Sequence, residues 1–474
     1  MGWASGGAVA IRSFNFIKIV VLARLLVPED FGLFGIVLLT INAFETFTQM
    51  GFNLALIQRK EDTELYLDVV WTVQVIRGFV LSVVLFLSAP FVAGFFHEPK
   101  VIPLIRIMCI GLFISGLGNP GIIYFRKELN FKRQFVYNIS TAIVPFIVTI
   151  GLAYQLRSVW VFVWAVLMED VSRCFLSYLF HAYRPKFQLD RKKITELFGY
   201  GRWLLGSSIV IFLATQGDDA FLGKMLGPIA LGFYQLAYRI SNIPATGITH
   251  LTGSVMMPAY ATVQNDKERL GRGFINTLEA ILTLTIPLTI FIIMATPEIV
   301  YGVLGSKWAP AIGPLQILAV AGFIRAVAAT GGPLFLGSGH PQWDFWLNLV
   351  RLIVIAVTIY PLTTMWGISG TSVSVVLGLV ATLPVWLRVR SLTGVSWCHL
   401  AGCFRFGLLF GGSTLLGLVS LKFVFRGLAP FQMLIVEITL SMVIFMGTIW
   451  GTWRYSQYSV LLSLIKGVMK SISK

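Results

Sequence analysis

Residues 23–37 read ARLLVPEDFGLFGIV, and two hundred positions later residues 223–234 read GKMLGPIALGFY. Aligned without gaps, Arg24 meets Lys224, Leu26 meets Leu226, Pro28 meets Pro228 and Gly32 meets Gly232. In both copies a basic residue ends an apolar helix, a Pro–Gly turn follows, and the next helix begins. Proline suits the first helical turn because its missing N–H has no intrahelical partner there. A second pair runs in the same order: PLIRIMCIGLF (103–113) against PLQILAVAGFI (314–324), with Pro103 on Pro314 and Gly111 on Gly322. The offsets, 200 and 211, are similar, as a duplicated architecture requires.

Outward from these turns the chain is oil. Of 474 residues, 56% are hydrophobic and only 12% charged, and the mean hydropathy is +0.81. Soluble domains carry about 25% charge, so a water-exposed surface of this size cannot be coated. Apolar runs long enough for a bilayer core, about 20 residues each, recur near 5–27, 32–58, 67–95, 101–123, 135–155, 158–182, 197–222, 232–258, 274–299, 311–336, 345–364, 367–388, 400–424 and 431–453. The expected fold is an all-α polytopic membrane protein of about fourteen transmembrane helices. It has two pseudo-symmetric six-helix lobes, 1–183 and 197–390, joined by a basic linker (184–196) and followed by two extra helices and a basic tail (391–474). Six spans separate equivalent helices, so the repeats are parallel, related by an axis along the membrane normal. Transporters of that build hold substrate between their halves.

The net charge is +16. With the N-terminus placed in the cytoplasm, cytoplasmic loops carry 20 Lys and Arg against 5 on the other side. Such asymmetry over short loops orients a membrane protein, and it accounts for the basic excess without nucleic acid. An even span count puts both termini in the cytoplasm. No loop has room for an extramembrane catalytic domain, and the first apolar stretch reads as a permanent helix rather than a cleaved signal. The tail 458–474 alternates apolar residues with Lys, as a helix on the inner leaflet or a frayed end would.

The motifs of soluble chemistry are missing. No GxxxxGK[ST] phosphate loop occurs, GSGHP (337–341) has no following Lys, and no HExxH or CxxC pair suggests a metal or redox centre. No catalytic residues, metal or cofactor are therefore expected. Cys109, Cys174, Cys398 and Cys403 read as small buried apolar side chains. Trp308, Trp343, Trp346, Trp366, Trp397, Trp450 and Trp453 fall near span ends, where an interfacial belt is expected.

The stretch ARLLVPEDFGLFGIV and its counterpart GKMLGPIALGFYQLAYRISNIP resemble the Wzx-type polysaccharide synthesis branch of the MOP superfamily, which also contains lipid II flippases and multidrug/cation antiporters. The resemblance covers most of the chain. It implies a bacterial inner-membrane flippase, not an enzyme, that moves undecaprenyl-pyrophosphate-linked oligosaccharides for polysaccharide biosynthesis by alternating access. Membrane lipid would surround it, and a polysaccharide polymerase and export machinery would act beside it. The resemblance also implies cavity cations. Arg12 and Lys18, six apart on the first helix, stand where lipid II flippases have cations, and Arg24 follows. Arg239, before Pro244, stands where those flippases have an Arg in the eighth helix. Lys18 departs from the Arg of those relatives and lacks its bidentate fork.

Charge inside a bilayer costs about 2.5–3.5 kcal/mol on insertion scales, so in-span charges normally face a polar cavity or a partner. Arg12, Lys18, Arg24 and Arg239 are the candidate pyrophosphate ligands. Six residues turn a helix by about 240° net, so Arg12 and Lys18 do not share one face. Either the first helix bends, or its charges line a wide cavity from different angles. Candidate ion-coupling acids are Glu45, amid Thr46, Thr48 and Gln49, and the pair Asp218–Asp219, whose other reading is a helix end paired with Lys224. Glu169, Asp170 and Arg173 have the spacing of an intrahelical salt bridge. Two rival functions remain: a drug/cation antiporter of the same fold, expected to have an acid-dominated cavity, and a membrane polysaccharide polymerase or ligase, expected to carry a long outer loop.

Overall fold

The computed structural model describes residues 2–48, 64–128, 130–243, 245–246, 256–264, 266–340, 342–425 and 427–455. Among them there is no β-strand. Twelve helices of sixteen residues or more dominate. They are α1 (Gly2–Leu25), α2 (Pro28–Thr48), α3 (Glu64–Phe96), α4 (Val101–Gly116), α5 (Phe131–Leu156), α6 (Trp160–Phe180), α7 (Arg191–Ser241), α8 (Lys267–Glu298), α9 (Ile312–Ala328), α10 (Gln342–Val380), α11 (Phe404–Val424) and α12 (Pro430–Tyr455). Two of these are broken rods. Non-helical Gly227 interrupts α7 and Gly367 interrupts α10, so each covers two of the expected spans. Eight stretches among the described residues are long and apolar enough to cross a membrane. The surface is correspondingly greasy: Phe91 is 80% exposed, Phe423 70% and Val443 67%. The protein is a multi-pass membrane protein. The tail 458–474, Pro244 and the end of the expected span 32–58 lie outside the described residues.

The helix boundaries have local causes. Pro28 opens α2, and Glu29 and Asp30 put acid in its first turn, the favourable end of the helix dipole. The Asp30 carboxylate accepts from the Val27 N–H (3.3 Å) and, far along the chain, from the Val159 N–H just before α6 (3.0 Å). One side chain thus satisfies donors at two helix starts. Asn130 and Asp266 cap α5 and α8 by accepting backbone N–H groups of their first turns. Arg157 closes α5 in the left-handed conformation (φ 44°).

The chain divides into two compact units, one within residues 1–232 and one within 233–470. In the first, α3 packs along α4, α5 along α6, and α1 along α5. Small residues permit the close approach: Gly78 of α3 lies against Gly116 and the Leu112 carbonyl of α4, and the Ser82 hydroxyl donates across to the Cys109 carbonyl at 2.7 Å. Polar side chains bridging helices at small-residue contacts are how membrane helices associate where lipid supplies no hydrophobic drive. In the second unit α8 packs on α9 and α11, α9 on α10, and α11 on α12.

The basic linker is strapped down at its start. Asp68 accepts both the Tyr183 hydroxyl and the Lys186 N–H at 2.6 Å, Thr72 accepts the Gln188 N–H at 2.9 Å, and the Asn119 amide donates to the Tyr183 carbonyl at 2.7 Å. Two expectations need correction. Trp308 is wholly buried, edge-on to Phe233 at 5.8 Å, and belongs to the core rather than to an interfacial belt. Cys398 is exposed, unlike buried Cys109 and Cys403, because it lies in the short helix Trp397–Gly402 outside the long rods.

Candidate functional site

Three long helices carry most of the charges singled out from the sequence: α1 holds Arg12, Lys18 and Arg24, α6 holds Glu169, Asp170 and Arg173, and α7 holds Asp218, Asp219, Lys224 and Arg239.

On α1, Leu22 and Ala23 are buried, as is Leu26 just beyond its end, while Lys18 is half-buried and Arg24 is exposed. Phe14 stacks on Phe146 of α5 at 5.0 Å, while Phe16 and Ile17 are exposed. Arg12 lies on the same helix, but its side chain lies outside the described residues. Helix α1 runs as one rod from Gly2 to Leu25, so Lys18 and Arg24, six residues apart, lie on different faces of it.

Glu45 sits in the last turn of α2, where Arg77 of α3 reaches it. The Arg77 Nη2 donates to the Glu45 carbonyl (3.0 Å) and Nε to the Thr48 hydroxyl (3.1 Å). A guanidinium here satisfies end-of-helix acceptors and meets the negative end of the helix dipole. The Glu45 carboxylate interacts electrostatically with Arg77 and also with Asp170 of α6. Asp170 lies over α4: its Oδ2 is 2.6 Å from where a Cβ on Gly111 would stand. Gly111 therefore leaves the space that the carboxylate fills. Of the three charges on α6, Glu169 takes Arg173 as its i,i+4 partner at 2.5 Å, and Asp170 turns inward.

On α7, Asp218 is buried (2% exposed) and its neighbour Asp219 half-buried. Lys224, the other reading's partner for this pair, donates to His97 Nδ1 (3.2 Å) and lies over the Phe95 ring (5.0 Å). In the second unit Arg239 is exposed, one residue beyond Tyr238. Arg325 of α9 lays its guanidinium over the Tyr238 ring at 4.7 Å and donates from Nη1 to the Asn242 side-chain oxygen at 2.5 Å. Its Nε and Nη2 are buried with no hydrogen-bond partner. Gly322, one turn before Arg325, lets α9 close onto the Ser241 carbonyl.

The structure thus brings Glu45 together with Arg77 and Asp170 in one unit, and in the other sets Arg325 against Tyr238 and Asn242, on either side of Arg239 in sequence. Arg77, Asp170 and Arg325 were visible in the sequence as charges inside apolar spans, but nothing in their spacing separated them from the rest. No group of three or more His, Cys, Asp or Glu among the described residues could hold a metal ion.

Residues 21–313 match the model of a family described as "Polysaccharide biosynthesis protein". The teichuronic acid biosynthesis protein TuaB of Bacillus subtilis is 26% identical over 313 residues, 66% of this chain and 65% of that protein. The lipopolysaccharide biosynthesis protein WzxC of Escherichia coli K12 is 25% identical over 399 residues, 83% of this chain and 81% of that one. Among solved structures, the lipid II flippase MurJ in an inward closed conformation superposes with a TM-score of 0.75 at 13% identity, covering 95% of this chain and 98% of MurJ.

Proposed function

This chain belongs to the polysaccharide biosynthesis protein family, and from that premise we propose that it carries undecaprenyl-pyrophosphate-linked oligosaccharide repeat units across the bacterial inner membrane by alternating access, for polysaccharide assembly. It is a transporter, not an enzyme. In this reading about fourteen helices span the bilayer in two lobes, and both termini face the cytoplasm.

The observation that carries the reading is Arg325. Its guanidinium is held by the Tyr238 ring and Asn242, and two of its N–H groups are buried without an acceptor. Buried donors left unmade cost about 1–3 kcal/mol or more, and a pair of anionic oxygens satisfies them through charge-assisted bonds. Arg239 lies beside that turn, and Arg12, Lys18 and Arg24 supply cations on α1. Fixed cations offset the desolvation of a diphosphate, while the lipid tail stays among acyl chains and the sugars cross with the head group. A drug/cation antiporter would need acids in the place of these cations. For energy coupling, Glu45 and the Asp218–Asp219 pair are the candidate carboxylates, with Asp170 as Glu45's electrostatic neighbour.

The test is export complementation in strains lacking different polysaccharide flippases, with membrane abundance measured in parallel. Lys18→Ala, Arg239→Ala and Arg325→Ala are each expected to lower export at least tenfold, about 1.4 kcal/mol, with the protein still in the membrane. Wild-type export from all three variants removes the anion-site reading.

A further inference from the structure

The two C-terminal helices bring a charge cluster into the second unit that the transport reading does not use. Lys422, near the end of α11, directs its ammonium at three acceptors: the Met294 carbonyl (2.5 Å) and both carboxylate oxygens of Glu298 at the end of α8 (2.8 and 3.0 Å). An ammonium has three protons, so these contacts use its donors. Glu437, two turns into α12, lies 3.4 Å from the same nitrogen yet is 0% exposed, and neither of its carboxylate oxygens has a hydrogen bond.

Two carboxylates facing one ammonium leave a net charge of −1, and Glu437 carries its share of it fully buried. A buried carboxylate with no donor is among the costliest groups a protein can hold, and an attached proton removes the cost. Among the described residues, Lys422 is the cation that pairs with both acids. Helix α8 contributes Glu298 and the Met294 carbonyl, α11 contributes Lys422, and the following turn, Ile299–Leu304, has only Tyr301 as a titratable side chain, which is 45% exposed. On α12 itself Ser441, one turn beyond Glu437 and so on the same face, has a buried hydroxyl without a hydrogen-bond partner.

The backbone around the cluster is also built for it. Ile299–Leu304 is a π-helical turn, a rare geometry that concentrates at functional sites. Gly302 within it lets the start of α12 approach, since a Cβ there would stand 2.9 Å from the Phe431 nitrogen. The same approach brings Glu437 to Lys422.

We infer that Glu298, Lys422 and Glu437 form a buried proton-binding site, with Lys422 committed to Glu298 and one exchangeable proton on Glu437. The balance is simple: Glu437–COOH gives Glu437–COO⁻ and one H⁺, and the cluster passes from neutral to −1. The loaded form holds α12 against α8 and α11 without uncompensated charge. The site does not depend on the transported substrate.

The experiment is infrared difference spectroscopy on the purified full chain in lipid nanodiscs, wild type against Glu437→Gln, at pH 7. The expected result is a protonated-carboxyl C=O stretching band in the wild type, shifted in D₂O and lost in the variant. Glutamine is isosteric with the loaded acid, so the variant should melt with the wild type, and melting and gel filtration check that it is folded. A wild type without the band, or a band that survives in folded Glu437→Gln, overturns the proposal. Loss of the band when sodium chloride replaces choline chloride overturns it too, because the site would then hold Na⁺. Flippase activity is not read, so a failed transport hypothesis leaves this result intact.

Discussion

The two copies of the Pro–Gly turn are alike where they pack and unlike where they bend. Gly32 sits against the Pro228 carbonyl and Gly232 against the Pro28 carbonyl, a reciprocal contact in which each glycine leaves room for the other copy's proline. At the bend the copies part. The first ends α1, passes through Val27 and starts α2 under an Asp30 cap. The second has no acid there, only Ile229 and Ala230, and turns instead through Gly227 at φ 80°, ψ −179°, a conformation confined almost to glycine. The contact surface carries the same residues in both stretches, whereas each bend makes room before its proline in its own way.

Breaking the shared surface should cost most. A side chain at either glycine meets backbone, which cannot swing aside as a flexible side chain would. Gly32→Val and Gly232→Val are each expected to destabilise by about 3 kcal/mol or more, read as lost folded yield in detergent. Similar losses at both positions support the reciprocity, and a silent variant at one of them breaks it.

The bends should respond one at a time. Gly227→Ala meets no neighbour, so its cost is backbone strain alone, about 2 kcal/mol, while Val27→Ala should change little. Thermal melting of the purified pair measures the difference. Asp30→Ala removes the acceptor for both Val27 and Val159 and should cost about 1 kcal/mol. Substitution of Ala230, its counterpart, by Ser should cost little, and the same melts show both.

The smallest effect concerns the linker that joins the copies. His181 stacks on Tyr124 at 5.7 Å and accepts the Tyr183 N–H at Nδ1 (3.2 Å). Burial lowers its pKa from the usual 6.5, ahead of opposing Glu128 and reinforcing Arg133 and Arg184. The fold therefore favours neutral imidazole. Its contribution is full above pH 6.5 and is lost as pH falls through the lowered folded value. Hydrogen-exchange protection at residues 183–188, taken relative to the intrinsic rate at each pH, should fall as His181 becomes protonated in the wild type and depend less on pH in His181→Gln.

Much of this architecture was legible because bilayer chemistry writes itself into composition. The expected span 158–182 became Trp160–Phe180, and 67–95 became Glu64–Phe96. The turn between the expected spans 345–364 and 367–388 became a kink at Gly367 inside one rod, since a glycine break needs no loop. The site was less legible. Spacing allowed Arg173 to pair with either Glu169 or Asp170, and packing against Gly111 chose Glu169 by drawing Asp170 inward. Trp308 read as a belt residue because nearness to a span end does not reveal what lies over a ring.

From the residues alone came the solvent, the repeat and the identity of the helices that carry charge: hydrophobicity, proline and glycine act on the chain locally, within a turn or a span. Only the folded molecule decided which charges meet. Glu298, Lys422 and Glu437 lie on three different helices and share no period, yet the fold brings both acids within 3.4 Å of the Lys422 nitrogen. Such a meeting depends on how rods lean on one another, and that is set by small residues such as Gly302, through contacts no linear pattern displays.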